Sequence, residues 1–214
     1  MCNLYNLKVA RWELQAYYQA NDDFRREIEM EELAKDYVSK ATPGLIVRQV
    51  DGQRLLSEPL HWGWPNPRPG QDEVRNVRNY SSPFWRSALV NPERRCLVPF
   101  TQFQEWTVEP DPETGKKRPH WFSLLNRPIG TFAGIWRPSE KGDIFTFLTC
   151  GYSESPRDSD DERAAAASHV VGKIHPKAMP VILHEEDFDK WLTAPVDEAL
   201  TLACAHPSQL IVVA

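Results

Sequence analysis

The sequence predicts an α+β fold in a single domain spanning residues 1–214. Three observations carry this. Helix-like and strand-like segments do not alternate along the chain, which argues against a parallel βαβ fold. Eighteen prolines favour loops and short strands over a helical bundle. Finally, 214 residues with 41% hydrophobic and 26% charged residues suit one buried core rather than a disordered chain.

The elements follow in order. Val9 to Ala20 reads as an amphipathic helix, with Trp12, Ala16, Tyr17 and Ala20 at helical spacing. The charged stretch Asp22 to Tyr37 predicts a second helix. Leu45-Ile46-Val47 and Leu55-Leu56 flank Asp51-Gly52, a strong hairpin turn signal. Trp62 to Gly70 holds three prolines and two glycines and reads as an irregular loop. Strands then dominate: Cys96 to Val98, Phe103 to Val108, His120 to Leu125, Thr131 to Trp136 and Ile144 to Cys150. In the second of these, Phe103, Glu105 and Thr107 alternate with Gln104, Trp106 and Val108, as on a strand with two distinct faces. Ser153 to Glu162 is an acidic loop. Val181 to Leu183 is a short buried strand, Glu185 to Leu192 and Pro195 to Ala203 are short helices, and Leu210 to Val213 is a last strand.

The net charge is −5 and the pI about 5.7, which argues against a general nucleic-acid coat and leaves only a local basic patch for such a partner. Six arginines between Arg68 and Arg95 supply a candidate patch. No apolar run reaches the ~20 residues of a membrane span. The first residues lack a basic stretch followed by an apolar core, so no secretory signal is expected, and the expected location is the cytoplasm. The four cysteines form no C-x-x-C pair, so neither a zinc ribbon nor a thioredoxin-type motif is expected.

Cys2 carries the most chemical information. With Met1 removed, the chain would begin with a 1,2-aminothiol. An α-amine has a pKa of about 7.7–8.0, so part of it is unprotonated at neutral pH. Such an amine attacks an aldehyde to form a Schiff base, and the neighbouring thiol can close a five-membered ring on it. The same terminus would also serve an N-terminal nucleophile hydrolase. Asn76 and Arg78 pair an amide with a guanidinium suited to a phosphate. Glu105, among aromatic and apolar neighbours, is placed for a raised pKa and acid–base work. His175 precedes a buried strand on a proline-bounded turn. Each also fits a structural role: a surface amide and guanidinium, a strand-face carboxylate in a salt bridge, a satisfied histidine.

In order, Met1-Cys2, Trp62-Gly63, Asn76-x-Arg78, Arg95-Cys96-x-x-Pro99 through Glu105-Trp106, and His175 through Met179-Pro180-Val181-Ile182-Leu183 closely resemble the SOS response-associated peptidase (SRAP) family. That family includes sensors of abasic sites in single-stranded DNA, and the similarity runs over essentially the whole chain. The resemblance implies a β-rich, barrel-like mixed core with peripheral helices. It implies that Cys2 lies at the bottom of a cleft admitting one DNA strand and forms a thiazolidine crosslink with the aldehyde of an abasic site. Asn76 would orient the Cys2 region, Glu105 would act as acid–base, and His175 would handle protons on the deoxyribose side. It also implies thiol-peptidase activity in self-removal of Met1, and possible abasic-site lyase activity. No metal or cofactor is required. The expected partner is single-stranded DNA containing abasic sites, bound by a monomer away from any membrane.

Some positions depart from the family pattern. Asn3 and Leu4 stand where the family carries Gly-Arg, Tyr80 where it carries an acid, and Lys177-Ala178 where it carries a single arginine before Met-Pro. Lys177 supplies charge without the bidentate fork of arginine. Arg78 and Lys177 are therefore the expected phosphate contacts. Trp62, Trp64 and Trp106 are expected to face the bases beside the lesion, with burial in the core as the alternative for Trp62 and Trp106.

Overall fold

The computed structural model describes residues 2–23, 37–40, 42–151, 170–175 and 178–213. Within them, short helices surround two sheets, as an α+β fold requires. The chain opens with β1 (Tyr5–Asn6) and α1 (Arg11–Tyr18). Glu13 Oε2 accepts from the Ala10 backbone N–H at 2.7 Å, satisfying a helix-start donor, and Gln19 ends the helix in the left-handed region at φ 51°. Its buried face is Leu14 and Tyr18, not the Trp12 stripe expected from spacing; Trp12 is 67% exposed. Tyr18 selects that face because its hydroxyl meets Thr131 Oγ1 at 2.7 Å and its ring packs on Phe188.

After α1 comes β2 (Asn21–Asp23), where a helix was expected from Asp22; the rest of that expected helix lies outside the described residues, as does the acidic loop from Ser153 to Glu162. β3 (Val47–Val50) and β4 (Gln53–Ser57) form the expected hairpin. Asp51 and Gly52 both have positive φ, 49° and 79°, as a two-residue hairpin turn matching strand twist requires. β5 (His61–Trp62) and β6 (Asn76–Val77) are short segments bracketing the proline-rich loop. α2 (Pro83–Val90) was not expected, although Ser82 caps it by accepting from Phe84 N–H and Pro83 opens it.

The larger sheet is built on β7 (Arg95–Phe100), β10 (Gly130–Arg137) and β11 (Ile144–Cys150), paired antiparallel. With β12 (Met179–Pro180) its path runs β12-β11-β10-β7-β3-β4-β2, and β5 and β6 also pair with β11, giving nine strands in a curled half-barrel. One edge of β11 is satisfied piecewise: β5 covers Ile144 and Phe145, β6 covers Phe147 and Leu148, and β12 covers Thr149 and Cys150. That piecewise edge brings Asn76 and the segment after His175 to the same strand.

The smaller sheet has the order β1-β8-β9-β13, with β8 (Gln102–Trp106), β9 (Pro119–Leu124) and β13 (Ile211–Val213). Phe100, Phe103, Phe122, Phe132 and Phe147 join the sheets in one buried aromatic run; Phe100 and Phe132 stack at 4.0 Å. Gly130 permits that contact, since a Cβ there would stand 2.2 Å from the Phe100 ring. The remaining helices, α3 (Val171–Ile174), α4 (Phe188–Thr193) and α5 (Val196–Ala199), are short. No helix among the described residues is long and apolar enough to cross a membrane.

Candidate active site

Four residues distant in sequence meet where the two sheets approach. Cys2 is fully buried, just before β1, and its thiol donates to the Leu4 carbonyl at 3.4 Å. Asn76, held in β6 against Phe147, donates from Nδ2 to the Cys2 carbonyl at 3.0 Å. β1 pairs with β8, which brings the Cys2 end of the chain beside the Glu105 end of β8. His175 closes α3, with its backbone N–H bonded to the Val171 carbonyl at 2.8 Å. Its Nδ1 lies 3.9 Å from Glu105 Oε2 and 3.4 Å from the Trp106 carbonyl oxygen.

The electrostatics follow from burial. Glu105 is only 1% exposed, and desolvation of its charged form pushes the carboxyl up to about 7. Near neutral pH it is therefore split between acid and base forms. Burial pushes the Cys2 thiol far above the ordinary thiol range, and the charge of Glu105 adds to this. Cys2 is thus held as a neutral thiol whose proton has a carboxylate nearby. Among the described residues no group of three or more His, Cys, Asp or Glu side chains is arranged to hold a metal.

The other expected residues divide. Arg78 is exposed, two positions beyond Asn76, and Trp106 is 42% exposed beside His175. Lys177 lies outside the described residues. Trp62 and Trp64 are buried and present no surface to a strand. Trp62 stacks on Phe147 at 4.9 Å and donates from Nε1 to the Arg75 carbonyl, while Trp64 packs on Trp85 beneath the Arg137 guanidinium. Nor do the central arginines form one patch. Arg95 is buried over Trp191 and bonded to the Ala194 carbonyl, and Arg94 sits on Trp136. The sequence also gave no prominence to His120, the cross-strand partner of Glu105, whose side chain shares its face. The alternation on β8 and the strand expected at His120 held the signal; the pairing register did not follow from either.

Cys2, Asn76, Glu105 and His175 thus come together at one place in the half-barrel. Comparison with known proteins shows the family. The profile described as SOS response associated peptidase (SRAP) matches residues 1–212, and the chain belongs to that family. Solved structures share the fold. A protein from Bordetella bronchiseptica is 22% identical with a TM-score of 0.69, over 100% of this chain and 98% of that one. A protein from Bacteroides thetaiotaomicron is 20% identical with a TM-score of 0.71, over 99% and 90%. A phage-related protein from Bordetella bronchiseptica is 20% identical with a TM-score of 0.70, over 100% and 93%. No curated protein matches the chain.

Proposed function

We propose that this protein captures abasic sites in single-stranded DNA as a covalent thiazolidine on Cys2, in keeping with the DNA-damage association carried by the family description. The observation that carries this is the Asn76 bond to the Cys2 carbonyl beside buried Glu105 and the neighbouring His175. Removal of Met1 turns the Cys2 amide nitrogen into an amine. The amine attacks the aldehyde carbon of the ring-opened abasic sugar, forming a C–N bond. Glu105 in its acid form protonates the departing hydroxyl, water leaves, and an iminium and the Glu105 carboxylate remain. The Cys2 sulfur then adds to the iminium carbon, and the thiol proton returns to the Glu105 carboxylate, leaving a neutral thiazolidine N–H. One water is released overall, and no oxidant or metal takes part.

The electrostatics favour this over thiol-peptidase chemistry. A peptidase nucleophile works as a thiolate, whereas burial and Glu105 hold Cys2 neutral. Ring closure on an imine needs only a thiol with a base at hand. Arg78 and Lys177 supply phosphate contacts, and Trp106 a surface for a base beside the lesion.

The test separates amine from thiol. Mature protein acetylated at the Cys2 amine, with the thiol free, is expected to give no heat-stable adduct with an abasic strand. Alkylating the thiol alone should leave only a borohydride-trapped Schiff base. A heat-stable adduct of normal yield from amine-blocked protein would contradict the mechanism.

A further inference from the structure

The smaller sheet has a second face, turned away from Glu105. Register determines what lies on it: Gln104 pairs with Trp121 and Trp106 with Pro119, so these four side chains share that face. Tyr37 reaches it from the β1 edge. Its neighbour Val38 bridges to Tyr5 and is buried, which turns Tyr37 outward. The Tyr37 ring lies 6.0 Å from that of Trp121, tilted by 37°. Gln104, between that edge and Trp121, is buried, while Tyr37 remains 49% exposed.

We propose that Tyr37 and Trp121 form a stacking platform for unpaired bases of the reacting strand, extending its footprint beyond Trp106; this rests on the crosslinking function proposed above. The two faces meet at the end of β8: the Trp106 side chain lies on the platform face, and its carbonyl oxygen is 3.4 Å from His175 Nδ1. Every base has a π-face, so aromatic rings of this kind hold a strand without reading its sequence. Exposed Lys40 follows three residues after Tyr37 in the chain, and exposed Lys173 lies by the loop after Trp106. Tyr37 is the exposed member of the pair and Trp121 the partly buried one.

The experiment is single-turnover crosslinking, at sub-saturating protein, of an abasic trinucleotide and of an abasic strand of roughly a dozen nucleotides. Wild type should react faster with the longer strand. Tyr37→Leu and Trp121→Leu should each lose about tenfold on the long strand and nothing on the trinucleotide, while Trp121→Phe keeps the advantage. The trinucleotide rate doubles as the folding control. If Trp121→Leu fails it, Tyr37→Leu and Trp121→Phe decide the matter. Wild type inert on both substrates would refute the crosslinking function itself. Wild-type reaction with a length advantage that survives in Tyr37→Leu would overturn the platform alone. Self-association lost in Tyr37→Leu, with strand-length dependence unchanged, would overturn it in favour of a second copy of the chain.

Discussion

The side-chain amide of Asn76 donates a 3.0 Å hydrogen bond to the carbonyl of Cys2, across 74 residues of sequence. β6 positions the amide by pairing with β11, so the larger sheet fixes the reactive end of the chain. Asn76→Ala should therefore leave the fold intact but slow crosslinking. A buried hydrogen bond is worth roughly 1 kcal/mol of stability, whereas misplacing a nucleophile by about 1 Å can cost 10²-fold in rate. Thermal denaturation and single-turnover crosslinking, run side by side, check both halves.

Glu105→Gln should slow crosslink formation and reversal alike, by ~10²–10⁴-fold, because one acid–base group serves both directions. The swap keeps shape and removes ionisation. Rates followed from pH 5 to 9 should show the wild-type dependence on a group near 7 disappear in the variant.

The same carboxyl makes a stability prediction. Its folded pKa, about 7, lies above the unfolded value of 4.5, so between these the folded state holds a proton that the unfolded state has lost. Stability must then fall as pH rises through that window, by about 3 kcal/mol in all. Glu105→Gln removes this slope. Denaturant titrations should find the variant more stable than wild type at pH 8 and close to it at pH 4.

Trp62 and Trp106 should respond in opposite ways. Trp62→Ala opens the aromatic core and is expected to cost about 3–5 kcal/mol. Trp106→Ala should weaken binding of single-stranded DNA with little effect on unfolding. Equal destabilisation by both would place Trp106 in the core.

The contrast between these tryptophans shows where sequence reasoning reached and where it stopped. Ile144 to Cys150 was legible as a strand to the residue, because a run of β-branched and aromatic residues bounded by polar turns leaves few alternatives. The two faces of the strand through Glu105 were legible from alternation, and with them the burial that raises its pKa. Trp64 was expected to face a base and is buried instead, while for Trp62 the alternative of core burial holds, because it closes onto β11 through pairing that only the folded chain supplies. Trp12 misled because helical spacing marks several faces, and tertiary partners of Tyr18 chose another. The approach of Asn76 to Cys2, and of Tyr37 to Trp121, depends on strand order and register, which no local pattern encodes.

Arg78→Ala should lower affinity for single-stranded DNA and reduce the slope of log K against log salt by about 0.7, as expected when one phosphate contact is lost. Fluorescence titrations over a salt series measure both. An unchanged slope would place Arg78 outside the bound strand.

The most direct measurement is the intact mass of the purified protein after incubation with an abasic single-stranded oligonucleotide. A single heat-stable species is predicted, with the mass of the chain lacking Met1 plus the oligonucleotide minus one water. It should be absent with an undamaged strand, and absent from Cys2→Ala after heating. Active protein that retains Met1 in the adduct, or a heat-stable adduct of normal yield from Cys2→Ala, would contradict the assignment of Cys2 as both amine and thiol.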